Sequence, residues 1–275
     1  MRAKADISIM GCGWLGLPFA EELVKKGYQV KGSTTRTEKL PILEEKNINP
    51  YLINLQDADM NPADLDDFLN ADLLLVNIPP KLRSDGGAGY LEQLHLLRNA
   101  LLKSPVSKLL FVSSTSVYPD LNRVVTEEDS YYLSEKDASN ALLQAEKLFQ
   151  ECEEWLATVV RFAGLVGPGR QPGRFFAGKK QVPNGDAPVN LIHLDDCIAI
   201  FLRILELEKW GQVYNACSDQ HPLRKDFYTS AALAAGLEPP QFNLMTETNF
   251  KLINSQKLKD ELSFVFQYPD PMTFF

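Results

Sequence analysis

Histidine is nearly missing from this chain: His95, His193 and His221 are all there is in 275 residues. None of the three stands at metal-ligand spacing, so no metal site is expected. Cysteine is sparse as well. Cys12, Cys152, Cys197 and Cys217 are widely separated, with no CxxC, which fits reduced thiols in a cytoplasmic protein. No stretch approaches the ~18 apolar residues that a membrane helix needs. An excess of positive charge is also absent: the formal net charge is −8, so no nucleic-acid partner is expected. Internal repeats and low-complexity tracts are missing. The N-terminus runs straight into an apolar strand with no signal-peptide pattern.

What is present is an alternation of elements. Hydrophobic residues make up 45% of the chain and charged ones 23%, enough for one large domain or one domain with a smaller companion. Ile7 to Met10 reads as a strand, and Leu17 to Gly27 as a helix closed by glycine, with Lys25 and Lys26 suiting its C-terminal dipole. YQVKGST, Pro50 to Leu55, ADLLLVNIP, Lys108 to Ser114 and Ala157 to Leu165 read as five further strands. ADLLLVNIP barely alternates, as expected of a strand covered on both faces. Helices are expected at Leu91 to Leu102 and Ala138 to Trp155. The fold class is α/β: a doubly wound parallel Rossmann sheet with a smaller C-terminal substrate-side cap. Residues 1–165 are expected to form the dinucleotide-binding domain. Residues 166–275 form the cap region, with about 190–218 returning to the main sheet.

Gly11-Cys12-Gly13-Trp14-Leu15-Gly16 is a GxGxxG pattern placed between the first strand and the first helix. The first glycine permits the tight turn and the second lets the backbone approach a pyrophosphate. The third lets helix and strand pack closely, and the helix N-terminus supplies amide donors. The end of the second strand chooses the cofactor. NAD binders usually carry an acid there, whereas this chain reads Ser33-Thr34-Thr35-Arg36, with no acid until Glu38. Hydroxyls and a guanidinium suit a 2′-phosphate, so NADP(H) is expected, with NAD the second choice. The other reading makes Arg36 and Lys39 a solvated face of the next helix. Ligands in such sheets bind at the carboxyl ends of the strands. The expected cofactor-binding set therefore extends to Asn54, Leu55, Ile78, Pro79 and Ser113.

Four further stretches make the chain resemble the extended short-chain dehydrogenase/reductases, the NAD-dependent epimerase/dehydratase group. They are VSSTSVYPD (Val112 to Asp120), TEEDS (Thr126 to Ser130), RFAGLVGPGR (Arg161 to Arg170) and NLIHLDDC (Asn190 to Cys197). The resemblance runs from the first strand to about Asp260. It implies a Ser–Tyr–Lys catalytic set in which Ser114 hydrogen-bonds a substrate oxygen. The tyrosine and lysine should begin the long helix that carries an AE pair. Counting back from Glu146, Ala138 and Leu142 stand where they belong, and neither can do the chemistry. Tyr132 and Lys136, the YLSEK pair, lie six residues too early, so they read as an exposed turn. A chain of this kind is similar to the atypical YeeZ-like group, whose activities are poorly defined.

Other residues compete for roles. Tyr118 is a candidate for a displaced proton donor, but the favoured reading is a tyrosine packed at the sheet edge and bonding through its hydroxyl. Tyr131 is a second displaced phenol. His193 is a candidate for substrate contact or structure, beside Asp195 and Asp196 at a helix start. Arg170, Arg174, Lys179 and Lys180 fall where the resembling family binds substrate, and Lys81 joins Arg170 and His193 as a candidate contact. Cys12 could be activated by the helix N-terminus, though packing explains it more simply. The expected activity is hydride transfer or epimerase/dehydratase-type chemistry on a small, anionic or sugar-like carbonyl or alcohol. The rival is a non-catalytic NADP(H) sensor or scaffold. A homodimer through Ala141, Leu142, Ala145 and Leu148 is one option, and an intramolecular core is the other.

Overall fold

The computed structural model describes residues 5–57, 59–80, 87–132, 141–243 and 248–275. Among them lie the strands β1 (Asp6–Met10), β2 (Gln29–Thr34), β3 (Asn49–Leu52), β4 (Leu73–Val76), β5 (Lys108–Ser114), β6 (Val124–Val125) and β7 (Leu156–Phe162). They are followed by β8 (Gly164–Val166), β9 (Leu191–His193), β10 (Val213–Ala216) and β11 (Leu252–Ile253). Seven strands form one sheet in the order β10-β7-β5-β4-β1-β2-β3. β1 pairs in parallel with both β2 and β4, while β3 extends from β2 and β5 from β4. The chain thus winds outward from β1 in one direction and then in the other, which makes the β1–β4 junction a topological switch point. All four residues of β4 are buried. A strand covered on both faces has no solvent side, and its apolar run without alternation has that origin.

The helix Gly16–Lys25 shows how the pattern becomes packing. Phe19, Ala20 and Leu23 face inward and Glu21, Lys25 and Lys26 outward. Burying Phe19 and Leu23 contributes roughly 1.5–3 kcal/mol each. Gly27, at φ +81°, takes the left-handed position that ends the helix.

The chain divides into two compact units. The first comprises Met1–Ser113, Ser134–Val160 and Lys209–Val213, and the second Ser114–Leu133, Arg161–Glu208 and Tyr214–Phe275. One division of packing, between Val160 and Arg161, lies close to the expected boundary at residue 165, while Ser114–Leu133 also belongs to the second unit and Lys209–Val213 to the first. The expected sixth strand breaks at Ala163 into β7 and β8. β9 pairs with β8 rather than with the main sheet, so of 190–218 only β10 returns to it. In the first unit the helix Ala141–Gln150 packs on the helix Ala88–Leu101, and its Ala141, Leu142 and Ala145 are already buried. The intramolecular alternative therefore accounts for those three side chains.

The second unit contains the helices Leu194–Leu207, Arg224–Ala234 and Gln256–Leu262. It also holds two short parallel ribbons, β8–β9 and β6–β11. Its apolar centre is Val166, Val189, Leu191 and Phe227, covered by Tyr228, Met272 and Phe274. Among the described residues no helix is long and apolar enough to cross a membrane, and no His/Cys/Asp/Glu cluster could hold a metal.

Candidate functional site

In the first unit the glycine loop divides its labour residue by residue. Gly11 adopts φ +104°, and a Cβ there would lie 2.5 Å from the Asn77 carbonyl oxygen. At Gly16 a Cβ would come within 2.2 Å of the Gly11 carbonyl oxygen. Both positions are closed by backbone, so neither tolerates a side chain. At Gly13 a Cβ would meet nothing within 4 Å. That open side, beside the first turn of the helix Gly16–Lys25, is the space a pyrophosphate fits: unhindered backbone and a favourable helix dipole. Trp14 is half-buried and Leu15 buried, which fixes the turn between loop and helix.

Two side chains brace the loop. The Gly11 amide donates to Ser33 Oγ at 3.0 Å, and Asn77 Nδ2 donates to the Gly11 carbonyl at 3.0 Å. Asn77 was not among the sequence candidates. Its only signal was its place, the first residue after β4 and hence on the carboxyl edge. Cys12 lies beneath the loop with its amide on the Ser33 carbonyl. Burial pushes its thiol up to about 12, only partly offset by Lys39, which opposes activation of the thiol.

The end of β2 needs correction. Ser33 is 2% exposed and Thr34 7%. The Ser33 hydroxyl is spent on the loop, and Thr34 Oγ1 accepts from the Arg36 amide at 3.2 Å. Neither hydroxyl is presented to a ligand. Arg36 is exposed, in extended backbone, at the start of the turn Thr37–Lys39. Lys31, by contrast, is tied to the carbonyls of Asp67 and Asn70. Asn54 caps a local turn through the Gln56 amide, Leu55 is buried, Ile78 is half-buried and Pro79 exposed. Ser113 is also redirected: its hydroxyl donates to Glu146 on the helix Ala141–Gln150, and both groups are buried. Leu142, at the position of the resembling family's lysine, is buried too. Ala138, Lys136 and Lys81 lie outside the described residues. The backbone of Tyr132 closes a 3-10 turn, Glu127–Tyr132.

The second unit corrects the reading of Tyr118 as a proton donor. Tyr118 is 1% exposed, its hydroxyl donates to Asn215 Oδ1 at 2.8 Å and accepts from Arg161 Nη1. The Asn215 amide in turn donates to Glu127 Oε1 at 2.7 Å. Burial raises the Tyr118 phenol to about 12, with Arg161 pulling the other way, and burial also raises the Glu127 carboxyl. A phenol enclosed and bonded on both sides is a strut of this network, not an acid within reach of a substrate.

His193 is structural as well. Its Nδ1 accepts from the Asp195 amide, making the histidine, not the aspartates, the N-cap of Leu194–Leu207. Its ring lies 3.9 Å from that of Tyr268. Asp196 instead accepts from the Gln267 and Tyr268 amides and so ties down the C-terminal segment.

Ser114 remains in play. Half-buried, with Oγ accepting from the Ser116 amide at 3.2 Å, it lines a cavity of about 370 Å³ within the second unit. The other walls come from Asn184 and the stretch Ala187 to Leu191, from Asp120, Arg224 and Tyr228, and from Asn249 to Lys251. The cations there are Arg224 and Lys251. The expected basic loop is elsewhere: Arg170, Arg174, Lys179 and Lys180 are exposed and line no part of it. Lys251 donates to the Tyr118 carbonyl and pairs with Asp120 at 3.4 Å. Burial raises the Tyr228 phenol, with the Arg224 charge opposing. Nothing in the local sequence flagged Arg224 or Lys251, because both stand among ordinary charged residues of a helix start and a short strand.

No family model matches the chain. The protein YeeZ of Escherichia coli strain K12 is 37% identical over 275 residues, spanning 97% of each chain. A provisionally named NAD-dependent epimerase/dehydratase from Methylobacillus flagellatus superposes with a TM-score of 0.75 at 25% identity, over 98% of this chain and 96% of its own. MoeE5, solved with UDP-glucose and NAD, gives 0.75 at 18% identity over 98% and 96%. UDP-N-acetylglucosamine 4-epimerase from Bacillus cereus gives 0.73 at 18% identity over 98% and 94%. The last two share the fold.

Proposed function

This chain belongs to the YeeZ family, and we propose that it binds NADP(H) on its glycine loop and acts on a small carbonyl or alcohol substrate. The observation that carries the reading is the loop itself. Gly11 and Gly16 are closed by backbone, Gly13 is open, and Ser33 and Asn77 hold the turn in place. That the Methylobacillus protein and MoeE5 are named or solved with NAD supports a nicotinamide dinucleotide here. Such a cofactor, when bound, supplies or accepts hydride. Arg36, exposed and with no carboxylate beside it until Glu38, favours the 2′-phosphorylated form by a charge-assisted bond.

The second unit's cavity takes the substrate, and the Ser114 hydroxyl donates to its carbonyl or alcohol oxygen. With Leu142 buried and Tyr118 enclosed, the usual tyrosine–lysine help is lost, a deficit of typically ~10²–10⁴-fold in rate. Binding in a fixed geometry is what is left to lower the barrier.

Those same two residues favour a second reading, a non-catalytic sensor. Fluorescence titration with NADPH, NADP⁺, NADH and NAD⁺ tests both. Tighter binding of the phosphorylated pair, reversed in Arg36→Asp, supports the cofactor assignment, and equal affinity for both pairs refutes it. A sensor requires a large difference between oxidised and reduced forms, since equal affinity shifts no equilibrium. Turnover of NADPH with small carbonyls that drops in Ser114→Ala marks an enzyme.

A further inference from the structure

The cavity of the second unit holds a charged group whose buried Nε no described residue answers. Arg224 is the first residue of the helix Arg224–Ala234, and its backbone amide is anchored on the Ala187 carbonyl. Its side chain lines the cavity, where Nε is sealed from solvent and, among the described residues, has no hydrogen-bond partner. No carboxylate among the described residues forms an ion pair with it. Buried donors are nearly always satisfied, and a charged one left unmatched is costly, so this guanidinium is prepared for an acceptor from outside the protein.

The charges of the lining say what kind. Among the described residues, Asp120, Arg224 and Lys251 are its only ionisable acids and bases besides the Tyr228 phenol. Lys251 is already matched by Asp120 and by the Tyr118 carbonyl, which leaves one positive charge uncompensated. A single planar fork answers a single planar anion. A phosphate dianion would leave a negative charge behind. A volume of about 370 Å³ stands at the low end of small-molecule sites, which suits a compact ligand. Around the guanidinium the hydroxyls of Ser114, Ser116 and Tyr228 can meet polar substituents, while Val189, Leu191 and Phe250 cover carbon.

We propose that this cavity is a monocarboxylate site, in which the Arg224 guanidinium grips the carboxylate of a small ligand carrying hydroxyl or carbonyl groups. The proposal rests on the reading of the second unit as the substrate-binding half. It adds the substrate class, a hydroxy or oxo acid, to that reading.

The test uses the full chain, calorimetry and thermal shift. The probes are acetate, pyruvate, D-lactate and D-gluconate, set against D-glucose and inorganic phosphate at matched ionic strength. At least one monocarboxylate should bind and raise the melting temperature. Arg224→Gln should weaken it at least tenfold, and Arg224→Lys should restore part of the loss. NADPH affinity, read on the same preparations, should not change, which also certifies that the variants are folded. Should Arg224→Gln fail to fold, Arg224→Lys carries the test, with an intermediate affinity expected. Binding that is equal in wild type and variant overturns the proposal, as does a preference for phosphate. So does a chain that binds NADPH but none of the monocarboxylates. Loss of NADPH binding in the wild type itself would instead remove the cofactor reading, while carboxylate binding through Arg224 would still stand.

Discussion

Replacing Tyr118 by phenylalanine separates a strut from a catalytic acid. The ring volume is kept and only the hydroxyl goes. Asn215 Oδ1 then loses the Tyr118 donor, and Arg161 loses one acceptor, both in the buried interior of the second unit. A buried acceptor left bare costs about 1–3 kcal/mol, and a bond to a charged partner is worth about 1.5–3 kcal/mol. Relaxation of the network recovers some of this, so the expected loss is roughly 2–5 kcal/mol. At about 2–4 °C per kcal/mol for a chain of this size, the melting temperature should fall by about 4–20 °C. Differential scanning calorimetry at pH 7 reads the stability. NADPH titration and any carbonyl-reducing activity, measured well below the transition, read the function. A strut predicts a large fall in stability with kcat nearly intact. If the variant melts where the wild type does while kcat falls a hundredfold or more, the reasoning fails, and Tyr118 is a proton donor after all.

Glu127 gives a test in pH. Its folded carboxyl is raised by burial, so the native state holds the proton more tightly than the unfolded chain. Its contribution is therefore favourable below the unfolded value and is lost as pH rises through the raised one. Glu127→Gln keeps the acceptor for the Asn215 amide, so it should be more stable relative to wild type at pH 8 than at pH 5. Paired melts at the two values check the sign. In the glycine loop, Gly13→Ala should fold normally and lose at least tenfold in NADPH affinity. Gly16→Ala, with its Cβ at 2.2 Å from a carbonyl oxygen, should lose stability as well. Calorimetry and titration on the same samples distinguish the two. His193→Ala removes a cap worth about 0.5–2 kcal/mol and a ring contact worth about 0.5–1.5 kcal/mol. Its melting temperature should drop while monocarboxylate affinity stays, and a loss of affinity without a drop would return His193 to the ligand.

Local chemistry explains which parts could be read in advance. β5 was legible to the residue, because KLLFVSS is bounded by polar ends and buried in between. The glycine loop was legible because its three glycines do three steric jobs at fixed spacing. The end of β2 was misjudged at Ser33 and Thr34, since a hydroxyl in sequence does not reveal whether it points at a ligand or at the turn behind it. Tyr118 met the same difficulty: its partners, Arg161 and Asn215, lie 43 and 97 residues away. Arg224 was invisible for the opposite reason. Its distinction is the partner it does not have, and a missing bond leaves no mark on a string of letters.

The thiol of Cys12 has a use beyond packing. A Cβ at Gly32 would lie 2.7 Å from its sulfur, so the side chain fills the last space between the loop and the neighbouring strand. Because only a thiolate reacts and this one scarcely forms, maleimide attack has to wait until the loop lifts. Cys197 and Cys217, also buried with thiols pushed upward, stay silent until the second unit opens. Mapping the alkylated peptides over time therefore gives two clocks in one molecule. A dinucleotide that seats on the glycines should slow the first of them and leave the second to keep its own time.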